Sequence, residues 1–171
     1  MFVSVGVRFE ANVEALNAVE TVGNYSKHRR VPYLYYDEEK KRYRTIYVPA
    51  LSGESLAHAY QELLVHEALK AYGKKVPICE DCLHGEFFKS MNDEYLMKKL
   101  KGGKMPEDVY LLESEVVSNC LVEDIGGFLY AGKRPVKRSS AFQVSYALPI
   151  KPVALYSVTE PQLHARHAQL K

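Results

Sequence analysis

Apolar and polar positions alternate along the start of the chain and predict a β-strand there. In "FVSVGVRFE", apolar side chains recur at every second position from Val3 to Phe9, among small or charged residues. A period of two residues is typical of a strand with one buried face. The next stretch, residues 11–32, begins with helical spacing instead and ends in Gly23, Asn24 and the basic cluster, which predict a loop leading into Pro32.

Two tyrosine-rich runs in "YLYYDEEKKRYRTIYVP", residues 33–49, surround an acidic and basic tip. Two such runs around a polar tip predict a β-hairpin. The following stretch, "LSGESLAHAYQELLVHEALKAYGKK", predicts a long helix with Ser52 as its N-cap, Glu54 in its first turn and Gly73 at its end. The apolar residues expected on one helix face are Leu56, Tyr60, Leu63, Leu64 and Ala68.

The pattern is lost over residues 76–105, which we expect to be an insertion or a set of short helices. A second β portion is predicted over residues 114–132, followed by a turn at "KRPVKR" and a strand over residues 141–150. The last segment is expected to start one more strand and then become irregular. These elements predict an α+β fold in a single domain over residues 1–171.

Composition is consistent with one soluble domain. The chain has 171 residues, of which 47% are hydrophobic, enough for a buried core without metals or disulfides. Neither a leader segment nor a run of about 18 apolar residues occurs, and three cysteines fit a reducing compartment. We therefore expect a cytoplasmic protein with no membrane partner.

Charge becomes informative only through its distribution. The chain carries 23 Lys and Arg against 21 Asp and Glu, a formal net charge of +2. Two basic stretches nevertheless contain no acidic residue: "KHRR" at residues 27–30 and "KRPVKR" at residues 133–138. A further basic stretch, "EPQLHARHA", which also contains Glu160, contributes His164, Arg166 and His167 near the C-terminus. Clustered cations suit the phosphates of a nucleic acid, so we expect a positive groove on one side of the protein.

The stretch "CEDCLHGEF" offers Cys79, Cys82 and His84 as weak candidate zinc ligands. A tetrahedral site needs a fourth ligand, which Cys120 could supply only if the fold brought it close. Incidental cysteines in a loop are the favoured interpretation, so no cofactor is predicted. Motifs typical of a nucleophile elbow, a Walker loop or a dinucleotide-binding loop are absent from the sequence. "SGES" could receive a phosphate at the helix start, and N-capping by Ser52 is the simpler alternative.

Four stretches carry a resemblance to a known family: "NYSKHR", "VPALSGESLAHAYQ", "VEDIGGFLYAGKRPVKRSSAFQVSYALP" and "VTEPQLHARHA". They resemble the CRISPR-associated DevR-like, Csa-type backbone subunits (Cas-seven, of the RAMP superfamily) of the archaeal type I-A Cascade complex. The resemblance implies a modified RNA-recognition-motif (RRM-like, ferredoxin-like) antiparallel sheet with inserted loops and hairpins, with an insertion around residues 76–105. Family members are longer, so that fold is expected to be incomplete at its C-terminus.

The resemblance also implies the function. Such a subunit binds guide RNA (crRNA), polymerises with copies of itself into a helical assembly, and joins other CRISPR effector subunits to meet target DNA through the guide. The RNA-binding residues that it implies are Asn24, Lys27, His28, Arg29, Arg30, Ser52, Gly53, Ser55, Lys133, Arg134, Lys137, Arg138, His164, Arg166 and His167.

Catalysis is not expected. Relatives that cut RNA use an aspartate after the first strand, and residues 11–32 contain no Asp. The alternative is a metal-independent endoribonuclease of the same superfamily, with His28, His164 or His167 as general acid and base.

Overall fold

The computed structural model describes residues 1–12, 18–22, 25–156 and 162–163. The chain forms two compact units, Met1–Ser55 with Ser145–Lys171 and Leu56–Val144. Helices and antiparallel strands both occur, which confirms the α+β fold class. The single domain with an insertion over residues 76–105 stays a prediction. None of the helices in the described ranges is long and apolar enough to cross a membrane.

The first unit contains a three-stranded sheet in the order β1-β2-β8. Strand β1 is Ala18–Val22, β2 is Tyr25–His28 and β8 is Gln162–Leu163, and both pairings are antiparallel. The helical interpretation of residues 11–22 is therefore wrong over β1, because cross-strand pairing with β2 overrides the weak local spacing. The loop predicted from Gly23 to Pro32 is also wrong in the described residues, since Tyr25–His28 forms β2 and a further strand begins at Arg30.

The hairpin predicted around the acidic and basic tip is confirmed. Strand β3, Arg30–Asp37, pairs antiparallel with β4, Arg42–Pro49, along its whole length. At the tip, the Asp37 side chain accepts a hydrogen bond from the Lys40 backbone N–H at 3.1 Å. This side chain to backbone contact is typical of tight turns and closes the hairpin.

The N-terminal strand predicted from alternation is wrong. Residues 1–12 have no regular secondary structure, and Phe2 and Val5 are 92% and 78% exposed. A strand needs a neighbouring strand to satisfy its backbone N–H and C=O groups, and in the described ranges these residues pair with none. Alternation alone therefore does not build a sheet.

The strand predicted over residues 141–150 is wrong, and in the described residues the last segment begins with a helix and reaches its strand, β8, only at Gln162–Leu163. Residues 141–150 form only one isolated bridge, between Ala147 and Leu51, and α6, Lys151–Ala154, is a short helix. Pro149 and Pro152 lack the N–H that a ladder requires, and Pro152 lies in the first turn of α6, where that loss is harmless.

The long helix is confirmed as α1, Gly53–Tyr72. The Ser52 Oγ accepts a hydrogen bond from the Ser55 N–H at 3.2 Å, which confirms the N-cap, and Gly73 follows the helix with a φ of 64°. The predicted apolar face is partly wrong. Leu63 is 61% exposed, whereas the buried apolar residues of the helix are Val65 and Ala68.

Residues 76–105 confirm the expectation of short helices. After a 3-10 helix at Gly73–Lys75 come α2, Glu80–Leu83, and α3, Asp93–Lys99. Strand β5, Lys89–Ser90, lies between these two helices.

The second β portion predicted over residues 114–132 is mostly helical. Helix α4 is Val109–Asn119 and α5 is Leu121–Gly126. Asp108 caps α4 by accepting a hydrogen bond from the Tyr110 N–H at 2.8 Å, and Leu112 and Val116, four residues apart, are fully buried. A four-residue spacing is that of a helix face, so the β prediction is wrong over α4 and α5.

A small mixed sheet completes the second unit in the order β5-β6-β7. Strand β6 is Phe128–Tyr130 and β7 is Val136–Arg138; β6 pairs parallel with β5 and antiparallel with β7. The apolar core of this unit joins the sheet to α3 and α4, and its buried members are Phe88, Leu96, Leu100, Leu112, Val116, Phe128, Tyr130 and Val136.

Candidate nucleic-acid interface

The basic stretch KRPVKR, residues 133–138, contains part of the turn between β6 and β7 and all of β7. Two glycines set its path. At Gly127 the backbone φ is 73°, and an added Cβ would lie 2.5 Å from the Arg138 carbonyl oxygen. At Gly132 an added Cβ would lie 2.3 Å from the Tyr130 hydroxyl oxygen. Both distances are too short for any side chain, so close backbone approach requires glycine at each position.

Tyr130 anchors this turn from inside the core. Its buried hydroxyl donates to Asp93 Oδ1 and accepts a hydrogen bond from the Lys133 backbone N–H at 3.2 Å. The Lys133 ammonium lies 3.0 Å from Asp93 Oδ2, although the side chain is 82% exposed. The hydrogen bonds from Tyr130 and Lys133 lower the pKa of Asp93.

The arginines of the stretch are held by protein groups. Arg134 Nη1 donates to the Pro106 carbonyl oxygen at 2.7 Å. Arg138 Nη1 donates to Glu113 Oε1 at 3.0 Å, its Nε donates to the Asp124 carbonyl oxygen at 3.0 Å, and its Nη2 contacts the Asp124 carboxylate. Arg138 therefore fastens β7 to α4 and α5, a structural role that the sequence did not predict.

Lys137 differs from these arginines. It is exposed on β7, and within the described part of the chain its ammonium has no hydrogen bond or ion pair. Together with Lys133 it leaves cationic groups at the surface of a turn that is fixed by the core. A rigid turn with exposed lysines can receive phosphate oxygens.

The first unit holds the second basic cluster, residues 27–30. Lys27 is exposed and Arg30 donates to the Tyr47 carbonyl oxygen at 2.9 Å. Arg29 is half-buried, with Nη1 3.5 Å from the Tyr146 hydroxyl. His28 is only 8% exposed. The two outer residues of the cluster, Lys27 and Arg30, are therefore exposed, while His28 and Arg29 between them are buried and half-buried.

The geometry at the start of α1 is that of an N-cap. Ser52 is 4% exposed and its Oγ is used by the Ser55 N–H, while Gly53 is buried. A phosphate contact at Ser52, Gly53 and Ser55 stays a prediction.

The remaining predicted RNA-binding residues, Asn24, His164, Arg166 and His167, lie outside the described residues. One continuous positive groove also stays a prediction, because the two described basic clusters belong to different units.

A buried group of polar side chains lies elsewhere in the second unit. The sulfur atoms of Cys79, Cys82 and Cys120 and a carboxylate oxygen of Glu123 lie within 4.8 Å of one another. The weak candidate set from the sequence is corrected here. His84 is not in the group, because its Nδ1 lies 2.9 Å from the Glu80 carbonyl oxygen on the surface of α2.

Ionisation in this group is strongly coupled. The Cys120 and Cys82 side chains hydrogen-bond the Cys79 sulfur, and with the Lys99 ammonium 2.9 Å away they hold the pKa of Cys79 far below its usual value. Hydrogen bonds to Cys120 and Cys79 raise the pKa of Cys82, and the hydrogen bond to Cys79 raises the pKa of Cys120. Burial raises the pKa of Glu123. One thiolate therefore forms readily and discourages ionisation of its neighbours.

Sequence reasoning missed Lys99 and Glu123. Lys99 is 4% exposed, with Nζ 2.8 Å from Asp81 Oδ2 and 3.3 Å from Glu123 Oε1. Burial lowers the pKa of Lys99, but Asp81 and Cys79 outweigh it and the net shift is upward. Neither residue belongs to a recognisable motif, so only their burial in the fold reveals them.

The fold and these surfaces define an α+β protein that presents basic clusters on strands and the turns beside them. A family model described as "CRISPR-associated negative auto-regulator DevR/Csa2" matches residues 5–171, and the chain belongs to this family. The resemblance found in the sequence is thereby confirmed.

Two relatives from Saccharolobus solfataricus add detail. The chain is 39% identical over 168 residues to "CRISPR-associated aCascade subunit Cas7/Csa2 2", covering 96% of this chain and 50% of that protein. It is 36% identical over 168 residues to "CRISPR-associated protein Cas7/Csa2 1", covering 98% of this chain and 50% of that protein. The chain therefore spans about half the length of the curated relatives it matches.

Proposed function

We propose that this chain is the crRNA-binding part of a non-catalytic backbone subunit in an archaeal, cytoplasmic CRISPR interference complex. Copies of it polymerise along the guide RNA, join other Cascade subunits and present the guide to target DNA. Family membership and the relative named as a Cascade subunit support this proposal. An RRM-like arrangement of the antiparallel strands is part of the proposal and rests on the same family membership.

The observation that carries the proposal is the contrast within KRPVKR. Lys133 and Lys137 are exposed, while Arg134 and Arg138 are bound to protein oxygens that hold the turn in place. Phosphate contacts position an RNA backbone without reading its sequence, and cations on a fixed turn meet it at little entropic cost. Side-by-side packing of copies also suits a chain with a net charge of only +2, because strong like-charge repulsion is absent.

The test is the salt dependence of single-stranded RNA binding by the double variant Lys133→Ala, Lys137→Ala. Each phosphate contact to a single strand contributes about 0.7 to the slope of log K against log salt, so we expect the slope to fall by about 1.4. Binding should weaken equally for RNAs of unrelated sequence, since phosphates carry no sequence information.

A matched control removes two exposed lysines, Lys70→Ala in the last turn of α1 and Lys75→Ala in the 3-10 helix that follows, with the same change in net charge. Its slope should stay close to wild type. Equal slopes for wild type and the Lys133, Lys137 variant would contradict this assignment. A discrete cleavage product from labelled repeat RNA in the same samples would favour the endoribonuclease instead.

A further inference from the structure

The group of three cysteines and Glu123 has a regular construction. Cys79 is the residue before α2 and Cys82 is the third residue of that helix; Cys120 and Glu123 occupy the same two positions at the start of α5. Two short helices thus bring two ligand pairs with identical spacing to one point. The sequence shows the first pair as C-x-x-C, but the second, C-x-x-E, is visible only once the fold places it opposite.

Backbone hydrogen bonds hold these two pairs together. The Leu121 N–H donates to the Pro77 carbonyl oxygen at 2.8 Å, and the Cys79 N–H donates to the Cys120 sulfur at 3.4 Å. A backbone N–H aimed at a cysteine sulfur stabilises the thiolate form of that cysteine. The arrangement therefore does not rest on the four side chains alone.

The distances fit a single ion. Zinc binds thiolate sulfur at about 2.3 Å in a tetrahedral site, which sets the ligand atoms about 3.8 Å apart. The four donor atoms all lie within 4.8 Å of one another, so closing onto an ion needs contraction of about 1 Å at most. All three cysteines are free thiols.

The burial of Glu123 is an independent indication of a cation site. Glu123 is completely buried, and its Oε1 accepts hydrogen bonds from the Phe88 N–H at 3.2 Å and from the Cys82 thiol at 3.2 Å. Its Oε2 is buried without a hydrogen-bond partner. An unpartnered oxygen on a buried carboxylate is costly, and a metal ion would satisfy it.

Charge points to a divalent cation with a nearby counter-charge. Three thiolates and one carboxylate carry four negative charges, of which a divalent ion offsets two. The Lys99 ammonium, 2.9 Å from the Cys79 sulfur and 3.3 Å from Glu123 Oε1, offsets a third. Outer-sphere donors of this kind orient the ligands of metal sites.

We propose that Cys79, Cys82, Cys120 and Glu123 bind one Zn²⁺ ion in a closed structural site. Sulfur-rich ligand sets select zinc over magnesium or calcium, and four protein ligands leave no open position for catalysis. The ion joins α2 to the junction of α4 and α5. Glu123 also accepts the hydrogen bond from the Phe88 N–H, and Phe88 directly precedes β5. The ion therefore also supports the β5-β6-β7 sheet, whose strand β7 contains Lys137.

The experiment measures metal content and cobalt spectra on the 171-residue chain. Protein expressed with added zinc and purified under reducing conditions should hold about one zinc per chain by mass spectrometry of the element. After chelation and titration with Co²⁺, we expect a thiolate-to-cobalt charge-transfer band and the visible bands of tetrahedral cobalt. These spectra test the wild type directly, so they do not depend on whether a variant folds.

Three variants assign the ligands. Cys120→Ser should lower zinc affinity by roughly tenfold or more, whereas the control His84→Ala, in the same segment, should keep the full metal content. Glu123→Gln should shift the visible cobalt bands while the charge-transfer band remains, because one oxygen ligand changes and the sulfur ligands do not.

Several results would overturn the proposal. The first is a wild type with reduced thiols, almost no zinc and no tetrahedral cobalt spectrum. Visible absorption typical of an iron–sulfur cluster in the purified protein would show that the site binds such a cluster instead of zinc. If His84→Ala loses the metal and Cys120→Ser keeps it, the ligands are those suggested by the sequence, Cys79, Cys82 and His84. Unchanged cobalt bands in Glu123→Gln would remove Glu123 from the site. RNA binding is a separate measurement, so either proposal can fail alone.

Discussion

At the scale of single residues, membership of a basic stretch did not reveal the role of each side chain. Lys133, Arg134, Lys137 and Arg138 look equivalent in the sequence, yet Arg138 is fully engaged by Glu113 and Asp124 while Lys137 is exposed. Arginine suits the structural position because its planar guanidinium donates several hydrogen bonds in fixed directions. The exposed lysines remain the better candidates for phosphate contact.

Asp93 supports a prediction about pH at this scale. Its pKa is lowered in the folded chain by the Tyr130 hydroxyl and the Lys133 ammonium, so its ionised form stabilises the fold above the unfolded pKa of about 4. That stabilisation is lost as the pH falls through the lower, folded pKa. We therefore expect Asp93→Asn to be less stable than wild type near neutral pH, with the difference shrinking below about pH 4.

Urea unfolding midpoints at neutral pH and at about pH 3 would measure this difference. The exposed Glu107→Gln serves as a control with the same loss of one carboxylate. If wild type and Asp93→Asn differ in unfolding midpoint by the same amount at both pH values, Asp93 acts through packing rather than charge.

At the scale of elements, the short strands of the second unit depend on close backbone contacts rather than on strand length. Strands β6 and β7 have three residues each, and α5 leads into β6 through Gly127. This glycine combines a left-handed conformation with direct approach to the end of β7. The basic turn is therefore positioned by the α5–β6 junction as much as by its own residues.

Gly127→Ala should consequently destabilise the chain by about 2 kcal/mol or more, because the methyl group would meet the Arg138 carbonyl oxygen in a strained conformation. Gly102→Ala is the matched control, since nothing lies within 4 Å of its added Cβ. Thermal or urea unfolding of both variants provides the measurement. Equal stabilities would mean that the backbone around residue 127 relaxes without cost.

At the scale of the whole molecule, the family and the basic surfaces lead to an expectation about assembly. If copies polymerise along a guide, the mass of the complex must follow the length of the RNA. With an RNA of about 40 nucleotides, light scattering should give particles several times heavier than with about 10 nucleotides. RNA that always binds a single copy, whatever its length, would contradict the backbone role.

Much of the local structure was predictable, and the failures share a cause. The β3–β4 hairpin and helix α1 follow from local signals: alternating tyrosines around a polar tip, and Ser52 and Gly73 at the helix ends. The N-terminal strand and most of the β portion predicted over residues 114–132 are wrong, with only Phe128–Tyr130 forming a strand there, because a local pattern describes only one chain segment. Sheet formation needs a partner strand, and helix α4 was decided by the packing of Leu112 and Val116 into the core.

The sequence by itself determined the family, the α+β class and the positions of the basic clusters, since these depend on residue identity and short-range spacing. Only the tertiary structure separated Lys137 from Arg138 and brought Cys120 and Glu123 to Cys79 and Cys82. The contacts of the cysteine group join residues about 40 positions apart in the sequence. The difference between Lys137 and Arg138 depends on which side of the strand meets the core. Spacing along the chain carries no information about such contacts until the helices and strands have packed.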